Sequence, residues 1–94
     1  MDNVIAIMRL ILFKLVRMDK WGGSHTALRN LTKGLPSRYL VTHKGKKLIQ
    51  EATKELNNKG FLIVKPSTGE IHVSLNSSMT KEIKEFLEEF GNNK

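Results

Sequence analysis

Apolar residues near the start of the chain recur at helical spacing. Val4, Ile5, Met8, Ile11, Leu12 and Leu15 fall at i, i+3, i+4 and i+7, the stripe of a helix that buries one face. This predicts a helix over residues 3–17. Ile7, Leu10, Phe13 and Val16 widen the stripe beyond what a small domain ordinarily requires. Either the helix is central to the core, or its second face packs against another copy of the chain. The second arrangement is preferred here, so a homodimer is expected, formed through the N-terminal or C-terminal helix. After Trp21-Gly22-Gly23, Ser24 has the chemistry of an N-cap and opens a predicted helix over 25–33, with Ala27, Leu28 and Leu31 inward. Gly34 stops it and Leu35-Pro36 turns the chain. Residues 37–41 read as a further short turn with Tyr39, Leu40 and Val41 as apolar anchors. Trp21 is expected over the end of the first helix, or exposed as a partner anchor.

Thr42 can cap the next helix, over 43–59, whose core stripe is Leu48, Ile49, Ala52 and Leu56. Asn57, Asn58 and Gly60 supply its stop, glycine accepting the left-handed conformation there. The period then drops to two. Phe61-Leu62-Ile63-Val64-Lys65 is rich in strand-forming residues, Pro66-Ser67-Thr68-Gly69 is a turn, and residues 70–75 alternate polar and apolar so that Ile71, Val73 and Leu75 face the core. Asn76 or a following serine caps a last helix over 78–90 with the stripe Ile83, Phe86, Leu87 and Phe90; residues 91–94 should fray. No repeat, low-complexity tract or linker interrupts the 94 residues. The expectation is one α+β domain, mainly α, with a core over about 3–90 and a two-stranded hairpin between the third major helix and the last.

Composition narrows the function classes. The chain has no cysteine, which excludes a disulfide scaffold, a cysteine-ligated zinc site and thiol catalysis. Its apolar N-terminal run is broken by Arg9 and Lys14, is shorter than the roughly 20 residues that cross a bilayer, and is followed by no small-residue cleavage site. A cytoplasmic protein without a membrane anchor is expected. The formal net charge is +7, and nearly all of the excess lies in residues 21–59, where Arg29, Lys33, Arg38, Lys44, Lys46, Lys47, Lys54 and Lys59 face only Glu51 and Glu55. A patch of one sign attracts a polyanion through its field and through counterion release.

The order of elements, and the run Leu48-Ile49-Gln50-Glu51-Ala52-Thr53-Lys54-Glu55-Leu56-Asn57-Asn58-Lys59-Gly60-Phe61-Leu62-Ile63 in particular, resembles the winged helix-turn-helix family, and within it the small archaeal DNA-binding proteins. The run looks like the end of that family's recognition helix, where a leucine precedes a lysine-glycine corner and an apolar strand. The likeness extends over about 3–90; the stretch from Pro36 to Thr42 departs from it, being longer than a minimal helix-turn-helix turn. The resemblance implies three helices, a two-stranded wing and a C-terminal helix. It implies a double-stranded DNA binder, as a transcriptional regulator, with the helix at 43–59 in the major groove and its N-terminal half deepest.

Transferred by position, the groove-facing surface holds His43, Lys44, Lys46, Lys47, Gln50 and Lys54. The lysines suit phosphates or the guanine edge, as point charges that position better than they read sequence. Gln50 is the base-reading candidate, since its amide matches adenine N6 and N7. Arg38 suits a bidentate phosphate or guanine contact, Arg29 and Lys33 the flanking backbone, and Lys65, Ser67 and Thr68 the wing tip. Ser24, His25 and Thr26 begin a predicted helix, where capping is preferred over anion binding. His25, His43 and His72 fall on three different elements without ligand spacing, so neither a metal nor a cofactor is expected. No nucleophile motif surrounds any serine, which argues against an enzyme. The alternative function is a winged-helix protein-interaction module that does not touch DNA. RNA binding is disfavoured because Phe61 is the hairpin's only aromatic residue.

Overall fold

The structure is a computed structural model that describes residues 2–91. Its elements are α1 (Asp2–Arg17), β1 (Thr26–Ala27), α2 (Leu28–Thr32), α3 (Ser37–Val41), α4 (His43–Asn58), β2 (Leu62–Ser67), β3 (Glu70–Leu75), a 3-10 turn (Ser77–Met79) and α5 (Thr80–Gly91). This is a mainly helical α+β chain with one three-stranded antiparallel sheet in the order β1-β3-β2. Among the described residues no helix is long and apolar enough to cross a membrane.

The width of the apolar stripe on α1 follows first from its place at the centre. Ile7, Met8, Ile11, Leu12 and Leu15 are all buried, and α1 packs against α2, α4, α5 and β3 at once. Ile7 therefore belongs to the core, and Val16 packs on its edge. Phe13 does not share this explanation, because it remains 48% exposed. The helix ends in a Schellman motif: Asp19 takes the left-handed conformation (φ 56°), its N–H donates to the Val16 carbonyl, and the Lys20 N–H reaches back to Leu15, consuming carbonyls the helix leaves unpaired. The following loop is stitched to the end of β3. Leu75 N–H donates to Lys20 O, Gly22 N–H to Leu75 O, and Ser74 Oγ to Gly22 O at 2.7 Å. Trp21 packs against the core from this loop.

The sheet corrects the sequence reading in two places. Thr26 and Ala27, expected in a helix, instead pair with Val73 and His72 of β3, so the hairpin has a third strand. An unpaired β3 edge leaves its N–H and C=O groups without partners, and supplying them outweighs the local preference of a two-residue segment. The second helix consequently starts at Leu28 rather than at residue 25. Ser24 is not its cap: Ala27 holds that position in an extended conformation with no side-chain bond. The hairpin is also tighter than expected, since Pro66 and Ser67 pair with Ile71 and Glu70. Thr68-Gly69 alone turn the chain, with Gly69 at φ 71°, as a two-residue hairpin requires. The arm thus projects beyond the core, and Ile71, expected inward, is 45% exposed, whereas Val73 and Leu75 are fully buried.

Residues 37–41 are helical, not a turn, and Val41 is no anchor at 69% exposure; Tyr39 and Leu40 do pack on the core. Thr42 separates α3 from α4 with one extended residue (φ −88°, ψ 152°). Its hydroxyl donates to Arg38 O and accepts from Gly45 N at 2.9 Å, closing one helix and capping the next. Along α4, Ile49, Ala52 and Leu56 are buried as expected. A second Schellman motif ends the helix, Gly60 (φ 79°) donating to Asn57 O and Phe61 to Leu56 O. Asn76 Oδ1 accepts from Ser78 N, so the last helix is entered through a 3-10 turn and begins at Thr80. Ile83 and Phe86 face the core, with the Phe86 ring edge-on to Phe61 at 5.8 Å between centroids. The Phe90 side chain and residues 92–94, for which burial and fraying are expected, lie outside the described residues.

Candidate nucleic-acid interface

Every residue the sequence nominates for DNA contact is exposed: Arg29, Lys33, Arg38, His43, Lys44, Lys46, Lys47, Gln50, Lys54, Lys65, Ser67 and Thr68. They do not form one surface by sequence proximity alone, so their placement on the elements decides which belong together.

On α4, residues advance 100° each about the axis. With the buried side fixed by Ile49, Ala52 and Leu56, His43, Lys47, Gln50, Glu51 and Lys54 form the outward ridge. This ridge extends over roughly 16 Å at 1.5 Å per residue. Lys46 lies on one shoulder. Lys44 lies on the other, where Glu55 follows it further along. Glu51 therefore stands among Lys47, Gln50 and Lys54, with Glu55 beside it, and only the Lys46 shoulder carries no acid. Among the described residues, no α4 lysine is held in an ion pair. Each can meet a phosphate without giving up an internal partner.

The short helix α3 supplies the flank. Arg38 lies over the Tyr39 ring, 4.8 Å from its centroid, and with Tyr39, Thr42, Lys44, Gly45 and Leu48 lines a cleft of about 200 Å³ between α3 and α4. The guanidinium is thus held over an aromatic face beside a second cation, an arrangement suited to an anion. Gly45 makes this junction possible. A Cβ there would lie 2.3 Å from Arg38 O and 2.5 Å from Tyr39 Cα.

The hairpin is differently charged. Lys65 stands opposite His72 and Ser67 opposite Glu70, so these four share one sheet face. Arg29, expected at the flanking DNA backbone, has its Nε ion-paired with Glu70 across the gap from α2 to the hairpin. The hydrogen bond from Arg29 holds the Glu70 carboxyl below its ordinary value of 4.5. A carboxylate whose folded pKa is depressed contributes stability above the unfolded value and loses it as pH falls through the folded one. We expect an NMR titration of the Glu70 carboxyl to show a midpoint below 4.5, and Arg29→Ala to move that midpoint upward. An unchanged midpoint in the variant would place the arginine elsewhere.

Sequence reasoning missed two relations: the Arg29–Glu70 pair, and the meeting of His25 with His72, whose Nδ1 atoms are 2.9 Å apart. Both depend on β1 pairing with β3, which a two-residue strand does not announce. Among the described residues there is no group of three or more histidine, cysteine, aspartate or glutamate side chains placed to hold a metal ion. Comparison of the chain with models of known protein families, with curated proteins and with solved structures gives no match in any of the three.

Proposed function

We propose that this chain is a winged helix-turn-helix protein that binds double-stranded DNA as a transcriptional regulator. Its mechanism is occupancy of DNA rather than catalysis. The helix–strand–helix order closing in a hairpin supports this reading, with α3 and α4 as the helical pair and β2–β3 as the wing. The observation that carries it is the run of exposed cations along the outward side of α4, where Lys47 and Lys54 flank Gln50, Lys46 lies alongside, and none of them is held in an ion pair among the described residues. In this reading the lysines and Arg38 hold phosphates, His43 and Gln50 reach base edges, and Lys65, Ser67 and Thr68 touch the backbone from the wing.

Binding to a random duplex library at two salt concentrations tests it. If Arg38, Lys46, Lys47 and Lys54 each neutralise one phosphate, affinity should fall roughly 100-fold between 50 and 200 mM salt, with a subset of sequences retained at the higher concentration. Absence of salt-dependent retention would remove the proposal. Phe13 and Met18, exposed beside Leu10 and rimmed by Lys14 and Arg17, favour association as well. We assign this patch to a second copy, whose exposed α5 glutamates (Glu82, Glu85, Glu88 and Glu89) complement the basic rim. A chain that binds no duplex yet retains this patch would be the protein-interaction module instead.

A further inference from the structure

His25 and His72 are 47 residues apart in sequence. The pairing of Thr26 with Val73 and of Ala27 with His72 puts them on the same face of the β1–β3 ladder, at diagonal positions. Their Nδ1 atoms are separated by 2.9 Å, and the rings meet at 69° with centroids 4.9 Å apart. One of the two nitrogens donates and the other accepts. Behind His72, Nε2 is 3.4 Å from Glu70 Oε1, and the other carboxylate oxygen is engaged by Arg29. A proton on His72 Nε2 therefore faces a fixed carboxylate, which leaves the lone pair of this ring on Nδ1, the atom turned toward His25.

We propose that His25 and His72 form a two-nitrogen site for a divalent transition metal, copper(II) or nickel(II), on the outer face of the sheet. Imidazole nitrogens bind such ions at about 2.0–2.1 Å. Two ligands at a right angle are then about 2.9 Å apart, and two at the tetrahedral angle about 3.4 Å. The observed 2.9 Å is that of a hydrogen bond, so it brings both nitrogens within reach of one ion without setting the angle; among divalent ions at a nitrogen site, copper(II) binds most tightly. The carboxylate on the far nitrogen of His72 is the partner that orients and strengthens a metal-bound imidazole. When the ion enters, both rings turn their lone pairs from each other toward it. The proton shared between the Nδ1 atoms moves to Nε2 of the exposed His25, so the neutral pair loses no proton. Water fills the remaining positions. The ion would tie the residue before β1 to the middle of β3. Lys65, opposite His72, opposes it.

The full chain is titrated with copper(II) chloride, and separately with nickel(II) and zinc chlorides, in a weakly coordinating buffer. We expect one equivalent of copper bound, a higher melting temperature in its presence, and an electron paramagnetic resonance spectrum with hyperfine splitting from two imidazole nitrogens. His25→Gln and His72→Gln should each leave one nitrogen and weaken binding at least 10-fold, Glu70→Gln should weaken it about 10-fold, and Lys65→Ala should tighten it. Zinc should bind more weakly than copper. Both rings reach the surface, so circular dichroism of the variants should match the parent. The nitrogen count on the parent chain needs no variant at all. No stoichiometric uptake, a single-nitrogen spectrum, or unchanged affinity in His72→Gln would each overturn the site.

Discussion

Reversing two charges on α4 with Lys46→Glu and Lys47→Glu should lower duplex affinity by more than about 100-fold at moderate salt. The double change removes two cations that neutralise phosphate and sets two carboxylates against the same polyanion. The salt dependence should flatten as well, because each lost phosphate contact takes about 0.9 from the slope of log K against log salt. The fold should be indifferent. Both residues are exposed and have no ion-pair partner among the described residues, lysine and glutamate have similar helix propensities, and acids near a helix N-terminus are favoured by its dipole. Circular dichroism should be unchanged and the melting temperature equal or slightly higher. Lys81→Glu with Lys84→Glu on α5 makes the same change in net charge and should alter affinity by no more than about threefold, within the range of long-range screened effects. Equal losses from the two pairs would mean that overall charge, and not the α4 ridge, governs binding.

That ridge was legible in the sequence because it rests on a long periodic element. Sixteen residues of α4 give several repeats of the apolar stripe, so Ile49, Ala52 and Leu56 fix the buried side and, by subtraction, the outward one. Gly60 was equally readable, its left-handed conformation being one that few other residues accept. Short elements carry no such redundancy. Thr26 and Ala27 make a strand only because β3 offers an open edge, and nothing local distinguishes them from the start of a helix. The five residues of α3 follow a proline and precede an extended threonine, so they read as a turn. Their helical form is stabilised by packing of Tyr39 and Leu40 on the core. Ile71 shows a different limit. Its alternation with Val73 and Leu75 is real, but the two-residue turn carries it past the last element able to cover it. The histidine pair lies beyond any local reading, since its two members meet only after β1 finds β3.

Gly45 is where the α3–α4 junction is most exposed to test, and Gly45→Ala should destabilise the protein by about 2 kcal/mol. At an unconstrained helical position the same substitution gains up to about 1 kcal/mol from helix propensity, so even the sign is diagnostic. The added methyl would meet Arg38 O at 2.3 Å, Tyr39 Cα at 2.5 Å and Tyr39 C at 2.9 Å. All three are backbone atoms, so no rotamer change relieves them. The helices must separate. In a domain of this size about 2 kcal/mol corresponds to a fall of roughly 10 °C in melting temperature. Separation would also loosen the Thr42 hydroxyl from Arg38 O and Gly45 N, uncapping α4 where His43, Lys44, Lys46 and Lys47 begin the outward surface. DNA affinity should therefore fall in the folded variant, although glycine itself offers nothing to DNA. Gly23→Ala is the control: a Cβ there has nothing within 4 Å and φ is not positive, so stability should change by less than about 0.5 kcal/mol. If Gly45→Ala instead melted at or above the parent temperature, α3 would not lie against α4 as described, and Arg38 would lose its place beside the lysines.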